Sequence, residues 1–153
     1  MYSAKLLSQL PSIDHGFCLP MEEAVPADTF YLRQQHSSQV VQMLGNEKSG
    51  EISADAVFTH SPRPVSVITA DCLPILVGST SGGLAAAIHA GWRGLIDGVI
   101  ANSLCAFSMA GIARESLRIA IGPGIMECCY EVPKELTNQL QLTHGRLLSL
   151  IHI

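Results

Sequence analysis

The apolar positions of the chain fall into short runs closed by glycine and proline. Val65 to Ala70 (Val-Ser-Val-Ile-Thr-Ala) is β-branched, follows the turn Ser61-Pro62-Arg63-Pro64, and predicts a strand. Leu73 to Val77 and Leu84 to Ala90 are small apolar runs separated by a turn, and predict adjacent buried strands. From Trp92 to Met109, apolar residues at Trp92, Leu95, Ile96, Val99, Ile100, Leu104 and Phe107 keep helical spacing, and Gly111 is the expected terminator. Arg114 to Ile121 predicts a further strand, stopped by Gly122-Pro123-Gly124. Pro133 to Leu140 predicts a short helix with proline in its first turn, and Leu147 to Ile153 a final strand. Strand, helix, strand is the order of an α/β protein whose sheet is covered by helices.

Composition narrows the class. At 153 residues, 48% of them hydrophobic and 14% charged, the chain suits one domain with a substantial core and is not a disordered polymer. A formal charge of -4 and the lack of a basic window exclude a phosphate-tracking nucleic-acid surface and an anionic membrane surface. The five cysteines are an odd number and include the adjacent pair Cys128-Cys129, so reduced thiols and no disulfide are expected. The opening residues hold no apolar stretch of signal-peptide length, and polar residues or proline interrupt every apolar run before it could span a bilayer. A cytoplasmic protein is expected.

Three groups combine metal-ligand chemistry with unusual surroundings: His36 in Gln34-Gln35-His36-Ser37, Cys72 in Thr69-Ala70-Asp71-Cys72-Leu73-Pro74, and His89 in His89-Ala90-Gly91-Trp92-Arg93-Gly94. Singly, each has a plain packing explanation. Their placement raises the stakes, because Cys72 and His89 lie where buried runs stop. Gly91 and Gly94 permit close backbone approach, and Arg93 can hold an anion. Two chemistries use such a set. Two imidazoles and a thiolate leave a tetrahedral zinc one open position, as in catalytic sites. Alternatively, Cys72 is a metal-free nucleophile with Asp71 or His89 as base. The spacing does not choose between them. Cys128-Cys129 offers soft donors, but neighbouring thiols are not expected to face one ion easily.

Taken together, Gln-x-His-x-x-x-Val (Gln34 to Val40), Ala-Asp-Ala-Val (Ala54 to Val57), Thr-Ala-Asp-Cys-x-Pro (Thr69 to Pro74), His-Ala-Gly-Trp-Arg-Gly (His89 to Gly94), and Ile-Gly-Pro with Cys-Tyr-Glu-Val (Ile121 to Val132) resemble the bacterial YfiH-type family. That family carries the labels multicopper polyphenol oxidase and laccase domain, and is associated with purine nucleoside phosphorylase and adenosine deaminase activity. The resemblance implies a layered α/β/β/α fold with mixed sheets, related to the catalytic domain of cytotoxic necrotizing factor toxins. It implies that His36, Cys72 and His89 form a zinc site. Relative to the family, residues 1–153 look like a single domain shortened at both ends, with part of the substrate pocket missing.

The implied activity is on purine nucleosides, namely adenosine, inosine or methylthioadenosine, with phosphate as co-substrate. In deamination, zinc-activated water attacks the purine C6 while Asp71 moves protons. In phosphorolysis, Arg93 and the backbone of Gly122 to Gly124 hold the anion. Asp71, Cys72 and Arg93 are thus the expected catalytic residues, and Arg93, Gly122 and Gly124 the expected substrate-binding ones. A blue-copper laccase needs more imidazoles than the six histidines supply in context, although one copper ion in the His36-Cys72-His89 site could give weak phenol oxidation. The rivals are a metal-free Cys-His hydrolase or amidase and a degenerate homologue that only binds nucleoside. Apolar surface left by the shortened end leads us to expect a two-fold homodimer covering Gly122 to Val132 and the final strand.

Overall fold

The computed structural model describes residues 1–18, 25–81, 83–126 and 128–131, together with Lys134 and Asn138. Its core is a five-stranded mixed sheet. The strands are β2 (Val40–Met43), β3 (Ala56–Thr59), β5 (Leu73–Ser79), β6 (Ala85–Ala90) and β7 (Leu117–Ile121), in the spatial order β2-β3-β6-β5-β7. β2 and β3 run parallel, and every other pair in the sheet is antiparallel. Two short strands, β1 (Phe30–Tyr31) and β4 (Val65–Ser66), pair parallel as a second small sheet.

The central strands β3 and β6 are buried on both faces, which is why they read as unbroken apolar runs instead of alternating ones. One face carries Phe58, Ile75, Val77, Ala86 and Ile88 against Val99 and Phe107 of helix α2 (Val99–Met109). Phe107 meets Phe58 edge to face at 5.4 Å. The opposite face carries Val57 and Ala87 against Phe30, Leu32 and Met43. At its β7 end, Ala120 packs on Leu7 and Leu10 of the N-terminal segment. The result is an α/β arrangement of helix layer, mixed sheet and second small sheet. Among the described residues these are three of the four expected layers.

Several expected elements differ in extent. The strand expected over Val65 to Ala70 is a strand only at Val65–Ser66. Beyond it, the Gln34 side chain takes both backbone groups of Ile68, donating from Nε2 to its carbonyl and accepting from its N–H, each at 2.7 Å. A side-chain amide thus replaces the neighbouring strand. Cys72 therefore does not end that strand; it leads into β5. The single helix expected from Trp92 to Met109 is two, α1 (Trp92–Ile96) and α2, because Gly98 takes the left-handed conformation at φ 90° between them. Gly111, at φ 83°, follows the end of α2 as anticipated. The strand expected over Arg114 to Ile121 opens with a 3-10 turn at Arg114–Ser116 and becomes β7. The helix expected over Pro133 to Leu140 lies outside the described residues apart from Lys134 and Asn138, both helical, and the strand expected over Leu147 to Ile153 lies wholly outside them.

Candidate metal centre

The β5-β6 register sets two of the three donors beside each other. Pro74 pairs with His89 and Leu73 with Ala90, so Cys72, just ahead of β5, comes level with the end of β6. The third donor, His36, comes from the loop between β1 and β2. One ligand atom from each of His36, Cys72 and His89 lies within 4.8 Å of the others. Cys72 Sγ is 3.7 Å from His36 Nε2, and the imidazole rings meet edge to face at 4.7 Å. A thiolate and an imidazole nitrogen on one tetrahedral zinc stand about 3.6 Å apart at the usual bond lengths, so this separation suits such an ion.

Asp55, to which sequence analysis assigned no role, organises the centre. It is fully buried, and its carboxylate accepts from five donors. They are the backbone N–H of Gln35, His36 and Ser37, the Ser37 hydroxyl, and His89 Nδ1 at 2.7 Å. Burial pushes the Asp55 carboxyl up, but the hydrogen bonds from Ser37 and His89 and the backbone N–H of Ser37 and Gln35 outweigh it and hold it below the ordinary aspartate value. Because the carboxylate is ionised, Nδ1 of His89 carries the proton and Nε2 is left as the donor atom. The same carboxylate holds the loop in which His36 adopts φ 59°, a left-handed conformation uncommon for a residue with a side chain. A signal was present in the sequence: a lone acid at the head of the apolar run Ala54 to Phe58 must be paired if buried.

Glycine makes room for the donors. A Cβ at Gly91 would lie 2.7 Å from His36 Cδ2 and 3.0 Å from Cys72 Sγ. At Gly94 it would lie 2.7 Å from the Ser37 carbonyl oxygen, so glycine lets α1 rest on the His36 loop. Asn102 of α2 pins the same loop by donating from Nδ2 to the Ser38 carbonyl at 2.9 Å. Behind Cys72, Ile125 donates its N–H to the Asp71 carbonyl at 2.8 Å, and a Cβ at Gly124 would lie 3.1 Å from that oxygen.

The remaining expected residues are spread around this cluster. Asp71 is exposed beside Cys72 and lines a cleft of about 890 Å³ walled by Phe17, Tyr31, Val67, Pro74 and Ile125. Arg93 is exposed, with its guanidinium carbon 4.6 Å from the centre of the Trp92 ring. Gly122 donates its N–H to the Pro74 carbonyl at 2.8 Å, which takes that amide out of anion binding, and Pro123 has none to offer. Burial, then the charges of Asp71 and Asp55, push the Cys72 thiol up. Without a cation beside it, Cys72 is therefore a poor nucleophile at neutral pH. All five cysteines are free thiols.

Residues 19–149 match the family described as multi-copper polyphenol oxidoreductase laccase. The chain belongs to that family. Among curated proteins it is 41% identical over 109 residues to a Haemophilus influenzae protein named purine nucleoside phosphorylase, an alignment covering 71% of this chain and 43% of that one. It is 38% identical over 104 residues to an Aquifex aeolicus protein of the same name, covering 67% and 48%. Among solved structures it is similar to a Neisseria meningitidis family protein, with a TM-score of 0.67 and 31% identity, covering 79% of this chain and 49% of that one. The chain thus spans about half the length of the family relatives it matches. Among its described residues no helix is long and apolar enough to cross a membrane.

Proposed function

We propose that the chain is a zinc-dependent purine nucleoside phosphorylase with adenosine deaminase activity, acting on adenosine, inosine or methylthioadenosine. The observation that carries the proposal is the convergence of His36, Cys72 and His89 into one three-donor group. The names of the relatives supply the substrate class. His36 Nε2, Cys72 Sγ and His89 Nε2 hold the ion, and Asp55 orients both imidazoles through the loop and the Nδ1 hydrogen bond. Bound there, zinc supplies Lewis acidity at its open fourth position. Asp71, exposed between the metal cluster and the cleft, moves protons to and from the substrate. The cleft has room for a nucleoside and is mostly apolar, which suits a purine ring. Arg93, with the Gly124 backbone as second partner, holds phosphate. Exposed Ile121 and Met126, near the end of β7, support a two-fold dimer.

The test is elemental analysis of gently purified protein followed by a nucleoside-plus-phosphate product assay. One zinc per chain with release of free base or inosine is expected, and Cys72→Ala removes metal and activity together. Base release by metal-free protein, or retention of zinc in Cys72→Ala with activity lost, overturns the proposal.

A further inference from the structure

Cys128 and Cys129 stand outside the metal centre. Both are exposed, and their sulfurs lie 3.1 Å apart. Neighbouring side chains diverge along an extended backbone, but here the chain turns: Cys129 and Tyr130 both direct their N–H to the Met126 carbonyl, at 3.0 and 3.1 Å. The turn puts both sulfurs within reach of one atom, contrary to the expectation that adjacent thiols do not share one.

Three considerations define what that atom is. Two sulfurs 3.1 Å apart at bonds of about 2.3 Å subtend about 85°, narrower than a tetrahedral angle and suited to a pyramidal, trivalent centre. Among the described residues no further histidine, cysteine, aspartate or glutamate joins the pair to make a three-donor group, so these residues fill two valences and the third falls to the ligand. Direct disulfide closure is the poorer outcome, because adjacent Cα atoms about 3.8 Å apart are closer than the roughly 4.4 Å minimum of ordinary disulfides.

We propose that Cys128 and Cys129 form a vicinal-dithiol site for a monosubstituted trivalent arsenical. Two S–H bonds break and two As–S bonds form. The oxide oxygen leaves as water, carrying both protons. Arsenic remains trivalent, so no oxidant or reductant is consumed.

The test uses phenylarsine oxide, added in equimolar amount to the full chain, with intact-mass spectrometry as the readout. One adduct is expected, heavier by the arsenical less one water. It withstands excess monothiol and is stripped by a small 1,2-dithiol. Cys128→Ser and Cys129→Ser, each checked for native circular dichroism, are expected to weaken retention against monothiol on the order of 100-fold, the gain from holding one atom by two linked groups. Cys105→Ser and Cys72→Ala are expected to leave it intact, the latter separating this site from the proposed zinc centre. No adduct in the parent chain, or full retention in either Cys128→Ser or Cys129→Ser, overturns the proposal.

Discussion

His89 and His36 meet at one point but are held by opposite kinds of structure. His89 is 3% exposed on β6, flanked by β3 and β5, with its Nδ1 fixed on a fully buried carboxylate. His36 is exposed on a loop in a left-handed conformation, and its ring touches Cys72 and His89 with no strand to hold it. One donor belongs to the core and the other is held by its loop. Asp55 is the residue common to both, so damage to Asp55 should act on fold and metal together, while damage near His36 should act on metal first.

The largest effect is expected from Asp55→Ala, which strands His89 Nδ1 and three backbone N–H groups. Loss of about 3–5 kcal/mol of stability is expected by urea unfolding, and a loss of about 10–100-fold in metal affinity by chelator competition. Loss of metal with unchanged stability would break the comparison by showing the two regions to be independent. Gly91→Ala comes next. Its methyl group meets the His36 ring and the Cys72 sulfur, and His36 is free to give way. A metal loss of about tenfold or more is expected, with a stability change below about 1 kcal/mol. Unfolding of this variant would mean that the His36 side is as rigid as the His89 side.

Gln34→Ala removes both bonds to Ile68 at a largely exposed site, so a loss of about 1 kcal/mol is expected. Faster amide exchange at Ile68 should accompany it, with metal content kept. The smallest effect lies away from the centre, at Glu47. The N–H of Leu44, then that of Gly45, hold its carboxyl below the ordinary glutamate value. Its contribution is therefore fully present above the ordinary glutamate pKa and is lost as pH falls through the lower folded-state value. NMR titration should show the Leu44 and Gly45 amides shifting with that depressed midpoint, and Glu47→Gln should abolish the shift while leaving the metal centre unaffected.

Much of the fold was readable wherever a run was buried on both faces. β5 and β6 appeared within two residues of their observed limits because each is an apolar run closed by a glycine, Gly78 or Gly91, which leaves few alternatives. The three residues that converge, His36, Cys72 and His89, were readable as well, through their motifs. What could not be read were the places where one side chain substitutes for a backbone partner. Gln34 ends β4 early by bonding Ile68, 34 positions away, and Asp55 closes the His36 loop from 19 positions away. Neither bond leaves a local pattern, since each is made only once the sheet has brought its partners together. The break at Gly98 was visible as a glycine in a helical run, but its left-handed backbone was not.

The β5-β6 hairpin also makes one part of the centre depend on less of the fold than the other. Cys72, just ahead of β5, and His89, on β6, are 17 positions apart, so pairing β5 with β6 is enough to bring them together. His36 precedes both in the chain but depends on more of the fold than they do. Its loop needs Asp55 in place, and Asp55 is set only when β3 docks on the far side of β6. The longer span, 36 positions from His36 to Cys72, adds only about 0.6 kcal/mol of closure entropy over the shorter. The difference therefore lies in how many pairings each contact needs. The β5-β6 pair alone brings two donors together, and the third comes only with the pairing of β3 on β6. An ion held by all three residues would therefore act as a seal on the finished fold, and loosely held metal would mark incomplete folding.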